Sequence, residues 1–175
     1  LEKIRYPTYT LLDIGDRMNR ISQLLQPKSV AVIGASTRAF RAGHVVVKNL
    51  LQGSFNGAIM PVTPFYPSVC GVLAYKTVAS LPLIPDLALL CTHASRNVAL
   101  FKQLAEKGIP VVVVLSSDMY SHDAQNREIQ AQCTEIAKQH NMRILGPNSL
   151  GVILPWINLN ASFSPIGALQ GNIAF

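Results

Sequence analysis

The chain has 175 residues, 49% of them hydrophobic and 14% charged, enough apolar surface for one full core and too much for a disordered chain. Its net charge of +6 reflects few acids, nine against fifteen bases, and no tract dense in Lys or Arg occurs, so nucleic-acid binding is set aside. Apolar runs such as residues 110–115 are far too short to cross a bilayer.

Residues 1–9 carry no clear period. From Thr10 to Leu25 the apolar positions Leu11, Ile14, Met18, Ile21 and Leu25 recur every three or four residues, which predicts an amphipathic helix with Thr10 as its cap and Pro27 as its stop. Short β-rich runs follow at 30–33, 58–62, 87–91, 111–115 and 143–145. Helical patterns lie between most of them: residues 43–52, a second from about Ser95 to Gly108 as a left-handed cap, and a third from about His122 to His140. The stretch from Thr63 to Pro85 is rich in Pro, Gly and Ser, with one short strand expected at 71–75. After Gly146 the periodicity fades, and Asn172-Ile-Ala-Phe175 reads as the start of a further strand.

Strands this continuously apolar are buried on both faces. The expected architecture is therefore α/β: a Rossmann-like, doubly wound, mainly parallel sheet with helices on both faces. Its expected organisation is an N-terminal extension at 1–21, a Rossmann-like domain at 22–150 and a connector at 151–175 leading into a following domain. The start, Leu1-Glu-Lys-Ile-Arg5, has neither initiator Met nor signal-peptide character, as expected of an excised piece of a soluble, cytoplasmic protein. Cys70, Cys91 and Cys133 are odd in number and widely spaced, which argues against a disulfide framework or a zinc site.

From Arg17 through Pro85 there is no Asp or Glu, while Arg17, Arg20, Lys28, Arg38, Arg41, Lys48 and Lys76 are all basic. Within this stretch the run Ser29-Val-Ala-Val-Ile-Gly-Ala-Ser36 reads as a strand feeding a tight loop and then a helix. Such a turn aims backbone N–H groups and a positive helix end at one point, so a phosphate-bearing ligand is expected there. Gly34 would allow close approach, Ser36 offers a hydroxyl, and Arg38 and Arg41 offer charge. Ligands of such sheets sit beyond the carboxyl ends of the strands, which singles out the loops 34–42, 63–67, 92–95 and 116–120.

The dinucleotide fingerprint is incomplete, because Ser36 and Ala39 stand where glycines would be needed. The acid that would hold an NAD ribose is also missing, since the second strand ends Pro61-Val-Thr-Pro64. An NADP site remains open, with Arg38 or Arg41 meeting a 2′-phosphate. No Walker A loop occurs.

Four ordered blocks carry a resemblance: Pro27-Lys-Ser-Val-Ala-Val-Ile-Gly-Ala-Ser36, Pro61-Val-Thr-Pro64, Pro85-Asp-Leu-Ala88 and Leu145-Gly-Pro-Asn-Ser-Leu-Gly151. Together they resemble the coenzyme A-binding domain of NDP-forming acyl-CoA synthetases, over roughly residues 22–175. Leu90-Cys-Thr-His-Ala-Ser-Arg-Asn97 and Asn158-Leu-Asn-Ala-Ser-Phe-Ser-Pro165 are more similar still to the bacterial Pat-type protein lysine acetyltransferases. The resemblance implies that Gly34, Ala35 and Ser36 hold CoA phosphates and that Thr63, Pro64 and the following Tyr66 line the nucleotide pocket. It implies that Thr92, His93, Ser116 and Ser117 lie along the remaining strand ends, with Asn148 at the far end of the site.

Two departures stand out. Relatives often carry Lys or another polar residue just after the Asn/Thr-Pro pair, whereas this chain has Phe65 and Tyr66, which either lose a phosphate contact or stack on a base. The phosphohistidine of such synthetases belongs to the next domain, and His44, His93, His122 and His140 do not replace it; no catalytic residue is expected in this chain. Asp86, opening a buried strand, is expected to pair structurally.

Three functional readings follow. The first is a CoA or acetyl-CoA binding module of a larger acyl-CoA synthetase-like protein, a protein lysine acetyltransferase in which this region binds or regulates. The second is the cofactor-holding domain of an active NDP-forming acyl-CoA synthetase, and the third an NADP-dependent reductase. Expected partners are CoA or acyl-CoA, downstream domains of the same chain and a second copy in a homo-oligomer, with no nucleic acid, membrane or metal.

Overall fold

The computed structural model describes residues 20–119 and 123–172. The helix expected from Thr10 is helical over its described part, residues 20–25. Its beginning, the helix start at His122 and the strand expected after Asn172 lie outside the described residues.

Five parallel strands build the central sheet: β1 (Ser29–Ile33), β2 (Ala58–Val62), β5 (Leu87–Leu90), β6 (Val111–Val114) and β7 (Arg143–Leu145), in the order β2-β1-β5-β6-β7. Their registers run Val30 beside Ile59 and Leu87, Ala88 beside Val112, and Val112 beside Ile144. Every residue of β1, β5 and β6 is buried, as a parallel strand covered on both faces requires.

Alternation along these strands sorts the core into two halves. Ala31, Ile33, Ala88, Leu90, Val112 and Val114 pack under α2 (Asn97–Lys107) and α3 (Ala124–Gln139) through Phe101, Leu104, Cys133 and Ala137. Val30, Val32, Leu87, Leu89, Val111 and Val113 pack on the other face under α1 (Ala42–Gln52) through Val46, Val47 and Leu50. Each Val, Leu, Ile or Phe among them contributes about 1.5–3 kcal/mol by leaving water. Helices thus cover both faces of a Rossmann-like α/β sheet.

Two features of the fold go beyond the apolar runs. The strand expected at 71–75 is part of a small hairpin, β3 (Ser68–Val69) with β4 (Val72–Leu73), turned by Cys70 and Gly71 at φ 50° and 84°. Past Gly146, where periodicity fades, β8 (Gly151–Leu154) and β9 (Leu159–Ser162) form an antiparallel pair. The pair buries Leu154, Leu159 and Ala161 in the α1 half of the core. Asn49 of α1 fixes it there, its Nδ2 donating to the carbonyls of Ser162 (2.8 Å) and Ser164 (2.9 Å).

The amino end of the sheet is closed by Asp86. Its Oδ2 accepts from the Lys28 N–H (2.9 Å) and the Ser29 hydroxyl (3.1 Å), and its own N–H donates to Ser29 Oγ (3.0 Å). The acid is structural. At the opposite, carboxyl end the chain reverses between β1 and β5: β1 leads outward to β2, while β5 lies on its other side. A doubly wound sheet opens a crevice for ligand at such a reversal.

Candidate functional site: a basic cleft at the carboxyl edge of the sheet

The crevice is a cleft of about 1150 Å³. The loop after β1 contributes Gly34, Ala35, Ser36, Arg38 and Arg41, and the loop after β2 contributes Thr63, Pro64 and Tyr66. Thr92 and His93 line it from the loop after β5. Three expected residues are not among its lining. Ser116 is buried and donates its hydroxyl to the Thr92 carbonyl, bracing the neighbouring loop from behind. Ser117 is exposed, and Asn148, also exposed, donates its N–H to the Ser116 carbonyl (3.2 Å).

The first loop works differently from its sequence expectation. The N–H groups of Gly34 and Ala35 both donate to the Val62 carbonyl, at 3.0 and 3.2 Å, and are not available to a ligand. Gly34 is required by its φ of +85° and by crowding: a Cβ there would lie 2.8 Å from Thr92 Cγ2 and 2.9 Å from the Cys91 carbonyl oxygen. A second glycine, missed by motif reading, matters as much. A Cβ on Gly43, in the first turn of α1, would lie 2.1 Å from the Gly34 carbonyl oxygen, so only glycine lets the helix start this close to the loop. The signal was a Gly opening a helical pattern nine residues after Gly34.

That close start leaves the beginning of α1 open. Its cap residue Arg41 makes no side-chain cap bond and no acid stands in the first turn. His44 and Val45 donate to the Arg41 carbonyl, at 2.9 and 3.1 Å, while among the described residues the N–H groups of Ala42 and Gly43 have no partner. Orphan N–H groups at a helix start, with the positive end of its dipole, form an anion site. Arg38, Arg41, Lys76 and Arg96 line the same cleft, and among the described residues no Asp or Glu does. Lys76 and Arg96 come from segments that folding, not the sequence pattern, brings to it.

Aromatic groups border the anion site. Tyr66 meets Phe65 edge-on, ring centroids 6.4 Å apart, and Phe65 is 70% exposed. A hydrogen bond from Thr37, with the positive charge of Arg38 and a bond to Ser36, holds the Tyr66 hydroxyl below the ordinary tyrosine range against the opposing effect of burial.

On the far wall the imidazole and the carboxylate hold each other. His93 Nδ1 accepts the Ser95 N–H (3.3 Å), which places its proton on Nε2, 3.2 Å from Asp118 Oδ2. The same Asp118 oxygen accepts the Ala94 N–H (2.7 Å). Asp118 therefore fills the start of the short helical turn Ala94–Arg96 that leads into α2. Behind it Asn97, fully buried, accepts from the Thr92 hydroxyl (2.7 Å). Burial pushes the Cys91 thiol up to about 12 and that of Cys133 to about 11, so neither is a thiolate nucleophile near neutral pH. Among the described residues no group of His, Cys, Asp and Glu could hold a metal ion, and no helix is long and apolar enough to cross a membrane.

Comparison with known proteins places this geometry. Residues 28–155 match the CoA binding domain family. The chain is 34% identical over 148 residues to an ADP-forming acetate–CoA ligase of Methanocaldococcus jannaschii, covering 85% of this chain and 20% of the relative. It is 33% identical over 158 residues to the α-subunit of the ADP-forming acetate–CoA ligase I of Pyrococcus furiosus, covering 88% and 34%. Among solved structures it matches the dinucleotide-forming acetyl-coenzyme A synthetase 1 of Ca. Korarchaeum cryptofilum in complex with phosphate and ADP. The TM-score is 0.80 at 28% identity, over 87% of this chain and 32% of that one. The chain thus spans about a fifth to a third of the length of these relatives. With a doubly wound sheet and a family match over residues 28–155, this chain belongs to the CoA-binding domain family, of the kind found in ADP-forming acetyl-CoA synthetase-like proteins.

Proposed function

We propose that this chain holds coenzyme A or an acyl-CoA for an NDP-forming acyl-CoA synthetase-like protein. The bond-making chemistry would be carried by other parts of that protein. The observation that carries the proposal is the open start of α1: among the described residues, two N–H groups without a partner, an uncapped helix end with Arg38 and Arg41 beside it, and no acid lining the cleft. These groups fit a pyrophosphate, and Phe65 and Tyr66 offer flat apolar surface beside it for a base or ribose. In this reading Gly34, Gly43 and Ser116 position the site, whereas Ser36, Arg38, Arg41 and Thr63 meet the ligand.

The relatives are ligases and a synthetase, which favours the synthetase reading and lends no support to the lysine acetyltransferase branch. The cleft itself supplies no nucleophile: its cysteine is held as the thiol, and His93 is engaged at both ring nitrogens. A domain that binds and orients without reacting suits an enzyme whose reacting groups come from elsewhere.

A thermal-shift series with CoA, acetyl-CoA, NADP and ATP tests the proposal. A ligand at about a hundred times its Kd adds about 2.7 kcal/mol, or roughly 5–10 °C in a chain of this size. CoA and acetyl-CoA are expected to give that shift. A clear shift with NADP and none with millimolar CoA would overturn the proposal.

A further inference from the structure

The bases of the cleft divide between the two faces of the sheet. Arg38 and Arg41 stand on the loop that leads into α1, which packs on one face. Lys76 and Arg96 belong to the other: Lys76 lies two residues before Val78, and Arg96 immediately before α2, both of which pack in the opposite core.

Neither position is an arbitrary point on the surface. The backbone before Lys76 is pinned to the end of β2, where the Tyr75 N–H donates to the Pro61 carbonyl and the Thr63 N–H donates to the Tyr75 carbonyl, both at 2.8 Å. The backbone after it is tied by a reciprocal pair, Thr77 N–H to Ser80 Oγ (3.2 Å) and Ser80 N–H to Thr77 Oγ1 (3.2 Å), and anchored by buried Val78. Lys76 therefore leaves the sheet edge from a fixed base. Arg96 closes the turn Ala94–Arg96, which Asp118 and His93 hold in place. Among the described residues neither base has an ion-pair partner. Ala99, Leu100 and Gln103 of α2 line the same cleft as these two bases.

Coenzyme A carries two separate anionic groups, a pyrophosphate and a 3′-phosphate on the ribose. A ligand with one anionic centre leaves one pair of bases unused, whereas CoA can occupy both. We infer that Lys76 and Arg96 form a second anion site that takes the ribose 3′-phosphate, while the start of α1 takes the pyrophosphate. This inference rests on the CoA reading above and adds selectivity to it: the chain distinguishes CoA from 3′-dephospho-CoA. Lys76 supplies, from a distant segment, a charge that Phe65 does not offer from the loop after β2.

Isothermal titration of CoA and 3′-dephospho-CoA into the wild-type chain, K76A and K76A/R96A tests the inference. Wild type is expected to prefer CoA by about tenfold or more, as charge-assisted hydrogen bonds to a phosphate do. K76A/R96A is expected to erase that preference by weakening CoA alone, with K76A intermediate and K76R close to wild type. Unchanged affinity for dephospho-CoA in each variant shows that the cleft is intact. A wild-type chain that binds both ligands alike overturns the second site only, as does an equal loss for both ligands in the double variant. A wild-type chain that binds neither overturns the CoA reading and the second site with it.

Discussion

Helix α1 and the short turn Ala94–Arg96 that leads into α2 both start at the carboxyl edge of the sheet and both border the cleft, yet their leading N–H groups are treated in opposite ways. At α1 the cap position is Arg41, and among the described residues no side chain accepts from the helix start and the Ala42 and Gly43 N–H groups have no partner. At the turn leading into α2, Asp118 takes the Ala94 N–H and His93 takes that of Ser95. The same dipole is left exposed in one place and neutralised in the other. A helix start that lacks its acid loses about 1 kcal/mol of capping and gains an anion site; one that keeps its acid is scaffold. The acid-free stretch from Arg17 to Pro85 covers the whole of the first helix start and none of the second.

The largest way to break this comparison is to push α1 away from its loop. G43V places atoms where the Gly34 carbonyl oxygen already stands, and overpacking of this kind costs about 1–3 kcal/mol. The melting temperature should fall by roughly 2–12 °C and CoA binding should be lost; an unaltered Kd for CoA would show that the helix start takes no part. R38A/R41A leaves the fold intact and removes the charge beside the open N–H groups. CoA affinity should drop about a hundredfold, with phosphate-free pantetheine fragments unaffected, and equal weakening of both would remove the arginines from the phosphate site.

D118A is the reciprocal change. It strips the start of the second helix, so stability should fall by about 1 kcal/mol, or roughly 2–4 °C in melting temperature. CoA affinity should stay within about twofold; a loss as large as in R38A/R41A would erase the distinction between the two helix starts. The smallest effect concerns pH. The Tyr66 hydroxyl, held low by Thr37, Arg38 and Ser36, ionises earlier than an ordinary tyrosine. Its phenolate would repel a bound polyanion, so a polyanion raises its pKa on binding and affinity falls as pH rises through the Tyr66 transition. The few-fold decline should begin below the ordinary tyrosine range and be absent in Y66F, followed by titration between pH 7 and 10.

Much of the fold could be read in advance because it rests on local patterns. The runs at 58–62 and 143–145 coincide with β2 and β7, and Gly108 caps α2 at φ 81°. The hairpin β8–β9 was not legible, since of its apolar residues only Leu154, Leu159 and Ala161 turn fully inward and the chain between them reverses through Pro155–Ile157 and a left-handed Asn158. The β3 strand was missed because Cys70-Gly71, both at positive φ, is a weaker written signal than Asn-Gly for such a turn.

The site divides in the same way. Residues on the first three loops were legible from the rule that ligands gather at carboxyl strand ends. Asp118, Lys76 and Arg96 were not, because their roles depend on which loops fold against each other. Ser116 was placed at the correct strand end but points into the structure, toward Thr92, a direction no spacing in the sequence specifies.

The central claim is that the open start of α1, and not the filled turn Ala94–Arg96 ahead of α2, receives the phosphates. Backbone amide chemical shifts recorded by ¹H–¹⁵N NMR during a CoA titration test it directly. The account predicts that the amides of Ala42 and Gly43 move most, in the direction of a strengthened hydrogen bond, while those of Ala94 and Ser95 stay nearly still. Large movement at Ala94 and Ser95 with Ala42 and Gly43 unmoved would contradict it.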